Sequence, residues 1–259
     1  LEEQREKVRA SIEEQGKMTE DISCALDEAK TLTEIDDIYR PFRPKRKTRA
    51  SAAKEKGLQP LADAIYAQDP RSKAPIVLAA DYVNEELGVN SSEDALQGAL
   101  DIIAELISDD AEIRKRLRYV CYMNGSISVR GTKDDLGVYE TYKEHDEPLT
   151  RIAGHRVLAI NRGEREDFLK VSVVFDREKA MNIILGVHLN GNSPCSDAIV
   201  NAANDAYDRL IFPSIEREIR NQLTESASTD AIKLFASNLR QLLMQPPIKN
   251  KITLGLDPG

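Results

Sequence analysis

The spacing of the apolar residues is the feature that most limits how this chain can fold. Through most of the sequence they recur at intervals of three and four, with short polar stretches between the stripes. The clearest stripes are Ala95, Leu96, Ala99, Ile103 and Leu106, and then Ile113, Leu117, Val120 and Cys121. Strict alternation, which is typical of a strand, occurs only at 169–175 and 252–256. The sequence therefore predicts a mainly α fold: an irregular multi-helical array with one short β element around residues 168–176 and a truncated strand at the C-terminus.

Capping residues, glycines and prolines set the expected helix boundaries. Thr19 is a good N-cap, since its hydroxyl can accept a backbone N–H of the first turn, and a further helix is expected from Thr48 to Lys56. Glycines that follow a helical stripe indicate helix ends. The expected later helices are 149–162, ended by Gly163, then 193–222 with a kink at Pro213, and 229–244.

Changes in composition divide the chain into four segments. Residues 1–130 form an expected N-terminal helical region, and the polar, glycine-bearing stretch 131–148 reads as a connection. Residues 149–247 form a second helical region that contains the short strand. Residues 248–259 read as one strand, and a single strand cannot satisfy its own backbone groups. We therefore expect the natural protein to continue beyond residue 259.

Composition narrows the class of protein. A chain of 259 residues with 41% hydrophobic content can bury a substantial core. No apolar run approaches the roughly 20 residues that span a bilayer, and the first ten residues, LEEQREKVRA, are charged. The three cysteines are far apart, which suits neither a disulfide framework nor a zinc site. We expect a cytoplasmic protein with reduced thiols and no membrane partner.

The most unusual local composition is RPFRPKRKTR at residues 40–49, called here the basic segment. Its six cations are Arg40, Arg43, Lys45, Arg46, Lys47 and Arg49, and it has no acidic residue. Because the whole chain has a formal charge of −8, the remaining residues carry −14. The six cations are the candidate nucleic-acid-binding residues. If all six neutralised phosphates, the logarithm of the binding constant would fall with the logarithm of the salt concentration with a slope of at most about −5.

The basic segment also has a structural interpretation that involves no nucleic acid. Its cations could pair with acidic helices of the same chain and fix a loop between domains. Neutralising Arg43, Lys45, Arg46 and Lys47 separates the alternatives. If the segment contacts nucleic acid, these substitutions would weaken nucleic-acid binding. If its cations are paired inside the protein, the same substitutions would lower the stability of the fold, because each broken buried pair costs about 3–5 kcal/mol.

No residue pattern predicts catalysis. There is no nucleophile elbow, no glycine-rich phosphate loop and no recognisable Ser, His and Asp ordering. His155 and Arg156 open a predicted helix, and packing or capping roles suit them best. Asp257 ends a strand, but two-metal chemistry needs further carboxylates that this chain lacks. We expect no enzymatic activity, no metal site and no cofactor.

Four ordered blocks resemble the bacterial Tex family of transcription accessory proteins. They are IDDIYRPFRPKRKTRA, EPLTRIAGHRVLAINRGERE, AIKLFASNLRQLLMQPP and LGLDPG, and they extend over nearly the whole chain. The resemblance implies a helical N-terminal region that ends at the first strand of a YqgF-type RNase H-like domain. Two positions depart from the family pattern, which has serine where this chain has Gly154 and glycine where it has Asp167.

The resemblance also implies a function. Family members are thought to bind nucleic acid and influence transcription, mainly through an oligonucleotide-binding fold that lies outside this chain. We therefore expect a helical scaffold region of a nucleic-acid-binding transcription accessory protein, with an auxiliary phosphate contact from the basic segment to RNA or DNA. The alternative is a protein-interaction module that docks the other domains or RNA polymerase and makes no contact with nucleic acid.

Overall fold

A computed structural model describes residues 1–43, 47–246, 252 and 254–255 of the chain. It is mainly α, as predicted, with 67% of the chain helical. The α-helices of the described part are α1 (Glu2–Glu14), α2 (Glu20–Glu28), α3 (Leu32–Tyr39), α4 (Arg49–Glu55), α5 (Gln59–Tyr66), α6 (Pro75–Ala79), α7 (Ser92–Ser108), α8 (Ala111–Asn124), α9 (Gly154–Arg165), α10 (Arg177–His188), α11 (Ser196–Asp205) and α12 (Phe212–Leu243). None of the described helices is long and apolar enough to cross a membrane.

The described residues also contain a small antiparallel sheet. Its strands are β1 (Ser126–Gly131), β2 (Glu144–Pro148) and β3 (Leu169–Val174), paired in the order β2-β1-β3. Strand β3 is the one that strict alternation predicts, and Leu169, Val171 and Val173 are buried as expected. The predicted strand at the C-terminus lies almost entirely outside the described residues.

The chain divides into two compact units. The larger unit contains residues 1–128, 146–150 and 172–219, and the smaller unit contains residues 129–145, 151–171 and 220–259. Four of the five unit boundaries fall within the three strands and α12, and the fifth, between residues 150 and 151, falls in a turn. The four-segment division expected from composition stays a prediction, and most of its last segment, 248–259, lies outside the described residues.

Helix α7 is the central element of the larger unit. It packs against α4, α5, α6 and α11. Small side chains on its first turns make this packing close, because Ala95 and Ala99 are fully buried and Gly98 faces Leu58. A Cβ at Gly98 would lie 2.4 Å from Leu58 Cδ1. The predicted stripe of α7 is therefore the principal core of this unit, although Leu106 faces solvent.

Helices α1, α2 and α3 form a second apolar cluster in the same unit. Its buried members are Val8, Ile12, Leu26, Ala29 and Ile35. The expected N-cap Thr19 accepts a hydrogen bond from the backbone N–H of Ile22. Thr31 caps α3 in a reciprocal capping box with Glu34, which satisfies two orphan donors at the start of this short helix.

A buried network of charged side chains joins α3, α8 and α12. Arg114 is completely buried and donates through Nε to Asp37 at 2.7 Å and through Nη2 to Glu218 at 2.8 Å. Arg118 donates to the other oxygens of the same carboxylates, at 2.6 Å for Asp37 and 2.8 Å for Glu218. Ser214 completes the network with hydrogen bonds to Arg114 and Glu218. Two cations and two anions thus neutralise each other inside the larger unit.

This network predicts a large stability effect at Arg114. Replacing Arg114 with Met keeps an apolar stem but leaves Asp37 and Glu218 short of a counter-ion, so unfolding free energy should fall by about 3–5 kcal/mol. The matched control is Arg116→Met on the exposed face of α8, which should change stability by less than about 0.5 kcal/mol. Urea denaturation followed by circular dichroism measures both. If Arg114→Met lowered the unfolding free energy as little as Arg116→Met, the buried network would not stabilise the larger unit.

Helix α9 corrects the expected helix over 149–162. It begins at Gly154, because residues 149–150 form a turn, and it continues through Gly163 to Arg165. Gly163 is buried inside the helix, where a Cβ would lie 2.6 Å from Leu169 Cδ1. The glycine thus permits close packing and does not end the helix. Asp167 follows with φ of +58°, the left-handed conformation in which the family pattern has glycine.

Strand β2 lies within the polar stretch 131–148, and its sequence EHDEP shows no apolar alternation that predicts a strand. Helix α12 runs unbroken through 222–229, where a break was expected. Side-chain contacts stabilise the helix over this stretch. Thr224 Oγ1 accepts a hydrogen bond from Asn161 and donates one to the carbonyl of Arg220. Ala227 packs on Gly154. The irregularity expected at Pro213 is a π-helical segment, Ala206–Ile211, directly before α12.

His188 is a buried titratable group in the larger unit. Its Nδ1 lies 2.7 Å from the Tyr66 hydroxyl, and its Nε2 lies 3.7 Å from Asp110 Oδ2 with no hydrogen-bond partner among the described residues. Burial lowers the pKa of His188 from its ordinary value, although the charge of Asp110 opposes the shift. The imidazole is therefore neutral in the folded protein at neutral pH.

The lowered pKa of His188 predicts a pH dependence of stability. Below about pH 6.5 the unfolded chain binds a proton at this histidine more readily than the folded chain does, so stability should fall as pH falls from 7 towards 5. His188→Gln should flatten this part of the profile. His155→Gln, at an exposed position of α9, is the control for losing a histidine. Thermal melts across this pH range measure the Tm of each variant as a function of pH. If the profile of His188→Gln matches that of the wild type, the pH dependence does not come from His188.

Candidate nucleic-acid interface

A cleft of about 500 Å³ lies beside the first residues of the basic segment. We call it the basic-rimmed cleft, and it lies entirely within the larger unit. Its described lining residues are Thr33, Asp36, Asp37, Arg40, Arg43, Thr48, Glu105, Ser108, Asp109, Leu210, Ser214, Arg217 and Glu218. Three guanidinium groups therefore share one cleft with five carboxylates.

The six predicted cations do not all occupy the same place. Arg40 and Arg43 line the basic-rimmed cleft, whereas Arg49 begins α4 and lines a separate shallow pocket with Asp94 and Asp101. Lys47 is exposed and forms an ion pair with Glu55 at 3.3 Å. Lys45 and Arg46 lie outside the described residues.

The cleft cations differ in their partners. Arg40 is partly buried and lies 3.4 Å from Asp109. Burial and the neighbouring charge of Arg114 lower the pKa of Arg40, while Asp109 and Asp37 act in the opposite direction. Arg43 is exposed, and no ion pair of Arg43 is found within the described parts of the chain. The internal-pairing interpretation thus suits Arg40 and Lys47, whereas Arg43 is available to an external anion.

The carboxylates at the floor of the cleft are largely neutralised by the buried network. Burial alone would raise the pKa of Glu218, but the hydrogen bond from Arg118 and the charges of both arginines hold it below its usual value. Asp37 is bound by the same two arginines. On the opposite wall, Glu105 accepts from Thr48 Oγ1 at 3.1 Å and lies 3.5 Å from Lys54 Nζ.

Sequence reasoning missed the contribution of α12 to this site. Arg217 is exposed on the first turns of α12 and lines the cleft together with Ser214 and Glu218. No ion pair of Arg217 is found among the residues that the structure describes. The only local signal was the alternation of charges in IEREIR, which is equally typical of any solvated helix face.

The other residues singled out from the sequence lie elsewhere. His155 is exposed in the first turn of α9, and Arg162 near the end of that helix pairs with Glu166 at 2.8 Å. The Tyr139 hydroxyl donates to the same carboxylate at 2.8 Å. These contacts are internal to the smaller unit and support its packing. Asp257 lies outside the described residues.

Fold and cleft together define a class of protein: a mainly helical, acidic protein with a small sheet and a cation-bearing cleft. Comparison with known proteins makes the class specific. The sequence model described as Tex central region-like matches residues 70–235 of the chain. The chain belongs to the Tex family.

Individual relatives agree with this assignment. The chain is 42% identical to YdcI of Bacillus subtilis (strain 168), covering 100% of this chain and 37% of the relative. It is 34% identical to the transcriptional accessory protein Tex of Neisseria gonorrhoeae, covering 100% and 35%. It is 29% identical to the human S1 RNA-binding domain-containing protein 1, covering 96% and 26%. The chain thus spans about a third, or less, of the length of these relatives.

Proposed function

We propose that this chain is the helical scaffold region of a nucleic-acid-binding transcription accessory protein, with an auxiliary phosphate contact at the basic-rimmed cleft. One observation carries the proposal. Arg43 and Arg217 line the same cleft, both are exposed, and neither has an ion-pair partner among the described residues. The names of the relatives, which refer to transcription and to RNA binding, support the same class of function.

The chemistry of the cleft limits the kind of contact. A guanidinium group can bind two phosphate oxygens in parallel, so two such groups lining one cleft suit backbone phosphates. The exposed carboxylate of Asp36 would repel a phosphate that entered deeply. The backbone therefore crosses the rim and stays outside the cleft. Such a contact positions a strand and does not read its sequence.

We propose that the chain recognises RNA or DNA and does not catalyse a reaction on it. It needs no cofactor for this role. It works in the cytoplasm, beside the transcription machinery.

Arg43 and Arg217, which have no ion-pair partner within the described parts of the chain, give the direct test. The double variant Arg43→Gln and Arg217→Gln should bind labelled single-stranded RNA and DNA at least about tenfold more weakly at low salt, and the salt slope should become shallower by about 1.4. The loss should be similar for different sequences, because only phosphates are contacted. Fluorescence anisotropy over a salt series measures both quantities.

The matched control for this test is Arg116→Gln combined with Lys233→Gln, which removes the same charge at exposed positions outside the cleft. If the control weakens binding as much as the cleft variant does, the affinity reflects overall charge and the cleft is not the interface. Unchanged binding in the cleft variant would overturn the phosphate contact.

A second candidate function is that of a protein-interaction module, and the last turns of α12 favour it. Ile232, Phe235, Leu239 and Leu242 follow a spacing of three, four and three, so they lie on one face of the helix. This face is exposed, with Phe235 at 67% of its full accessible area. A contiguous apolar surface of this kind is typical of a protein contact.

The apolar face of α12 predicts measurable dye binding. The variant Phe235→Gln and Leu242→Gln should bind the apolar dye ANS clearly less than the wild type. Its unfolding free energy should change by less than about 0.5 kcal/mol, because both side chains already face water. Val138→Gln, at an isolated exposed position, should leave ANS fluorescence almost unchanged. Equal ANS fluorescence in the wild type and the double variant would remove the observation on which the second candidate depends.

A further inference from the structure

A second concave surface of the larger unit has a different character. A groove of about 420 Å³ is lined by residues of α2, α3, α8 and the turn after α3. We call it the acidic groove. Its described lining residues are Asp21, Ile22, Ala25, Glu28, Ala29, Glu34, Asp37, Ile38, Pro41, Phe42, Asp109, Ala111, Glu112 and Lys115.

The floor of the acidic groove is apolar and is supported from beneath. Ile22, Ile38 and Phe42 pack on the buried cluster of α1, α2 and α3, and each is only partly buried. Their remaining surface therefore faces the groove, next to Ala25 and Ala111. Removing such half-exposed apolar area from water would stabilise a bound side chain by about 25 cal/mol for each Å² buried.

The rim of the acidic groove carries exposed carboxylates from α2 and α8. Asp21 and Glu28 of α2 and Glu112 of α8 are exposed, and none has an ion-pair partner in the described part of the chain. Lys115 is the cation among the described lining residues, and it is engaged by Glu34 at 3.2 Å. The hydrogen bond with Glu34, together with the charges of Glu34, Glu112 and Glu28, raises the pKa of Lys115. The described lining residues of the groove thus carry six carboxylates against one ammonium group.

We propose that the acidic groove binds a basic amphipathic helix of a partner protein. Charge complementarity selects this occupant, because lysine or arginine side chains would meet Asp21, Glu28 and Glu112 while apolar side chains enter between them. The volume suits two or three side chains of leucine size. The same rim repels nucleic acid and acidic segments. The acidic groove shares Asp37 and Asp109 with the lining of the basic-rimmed cleft, but this proposal does not depend on the proposed phosphate contact.

A synthetic helix with one leucine face and one lysine face is the probe for this proposal, and a leucine and glutamate helix is its counterpart. We expect the lysine helix to bind the full chain, to release on adding salt, and to shift the methyl NMR resonances of Ile22 and Ile38. We expect the glutamate helix not to bind. Equal binding of the two helices, or shifts confined to other methyl groups, would overturn the proposal.

Charge reversal on the rim locates the site. The variant Glu28→Lys and Glu112→Lys should bind the lysine helix at least tenfold more weakly than the wild type. Its control is Glu13→Lys and Glu14→Lys on α1, which changes the net charge equally at exposed positions outside the groove lining and should bind as the wild type does. Comparable losses in both variants would show attraction to overall charge and refute the site.

A second variant keeps the test independent of rim charge. Ala25→Trp should fill the apolar floor, keep every carboxylate, and also weaken the lysine helix at least tenfold, with circular dichroism confirming the fold. Unchanged affinity in this variant would contradict an apolar anchor in the groove. Binding of oligonucleotides should be the same in this variant as in the wild type, so a failure here leaves the proposed function standing.

Discussion

The buried network of Arg114, Arg118, Asp37 and Glu218 is the interaction on which the rest of the larger unit depends. These four charges are held by hydrogen bonds of 2.6 to 2.8 Å, and they connect α3, α8 and the first turns of α12. Ions withdrawn from water are costly unless every charge is matched. The two carboxylates each meet both arginines, so the three helices are held in one arrangement in which the cost is offset.

Both concave surfaces are consequences of that arrangement. Asp37 belongs to the network and lines both the basic-rimmed cleft and the acidic groove, and Asp109 also lines both. Among the described residues, Arg43 and Arg217 of the cleft and Asp21, Glu28 and Glu112 of the groove have no ion-pair partner. The two neighbouring surfaces of the larger unit therefore differ in charge.

Much of the helical architecture could be predicted, because apolar spacing and threonine caps are local signals. Thr19 caps its helix as expected, and most of the α7 stripe is buried, although Leu106 faces solvent. Features that depend on distant residues could not be predicted. Arg114 gives no local sign of its burial, since its partners Asp37 and Glu218 are 77 and 104 residues away in the chain. Gly163 resembles a helix end until Leu169 is seen to pack against it. The basic segment was visible from its composition, but Arg217 joined it only through the fold.

The most direct test of the central claim, that nucleic acid crosses the rim of the basic-rimmed cleft, is photochemical cross-linking of the chain to a 4-thiouridine-substituted RNA followed by peptide mass spectrometry. The account predicts that the dominant cross-linked peptides contain residues of α3, the segment around Arg43, or the turns of α12 around Arg217. Cross-links that map instead to the smaller unit, or an absence of cross-links under conditions in which the RNA is bound, would contradict it.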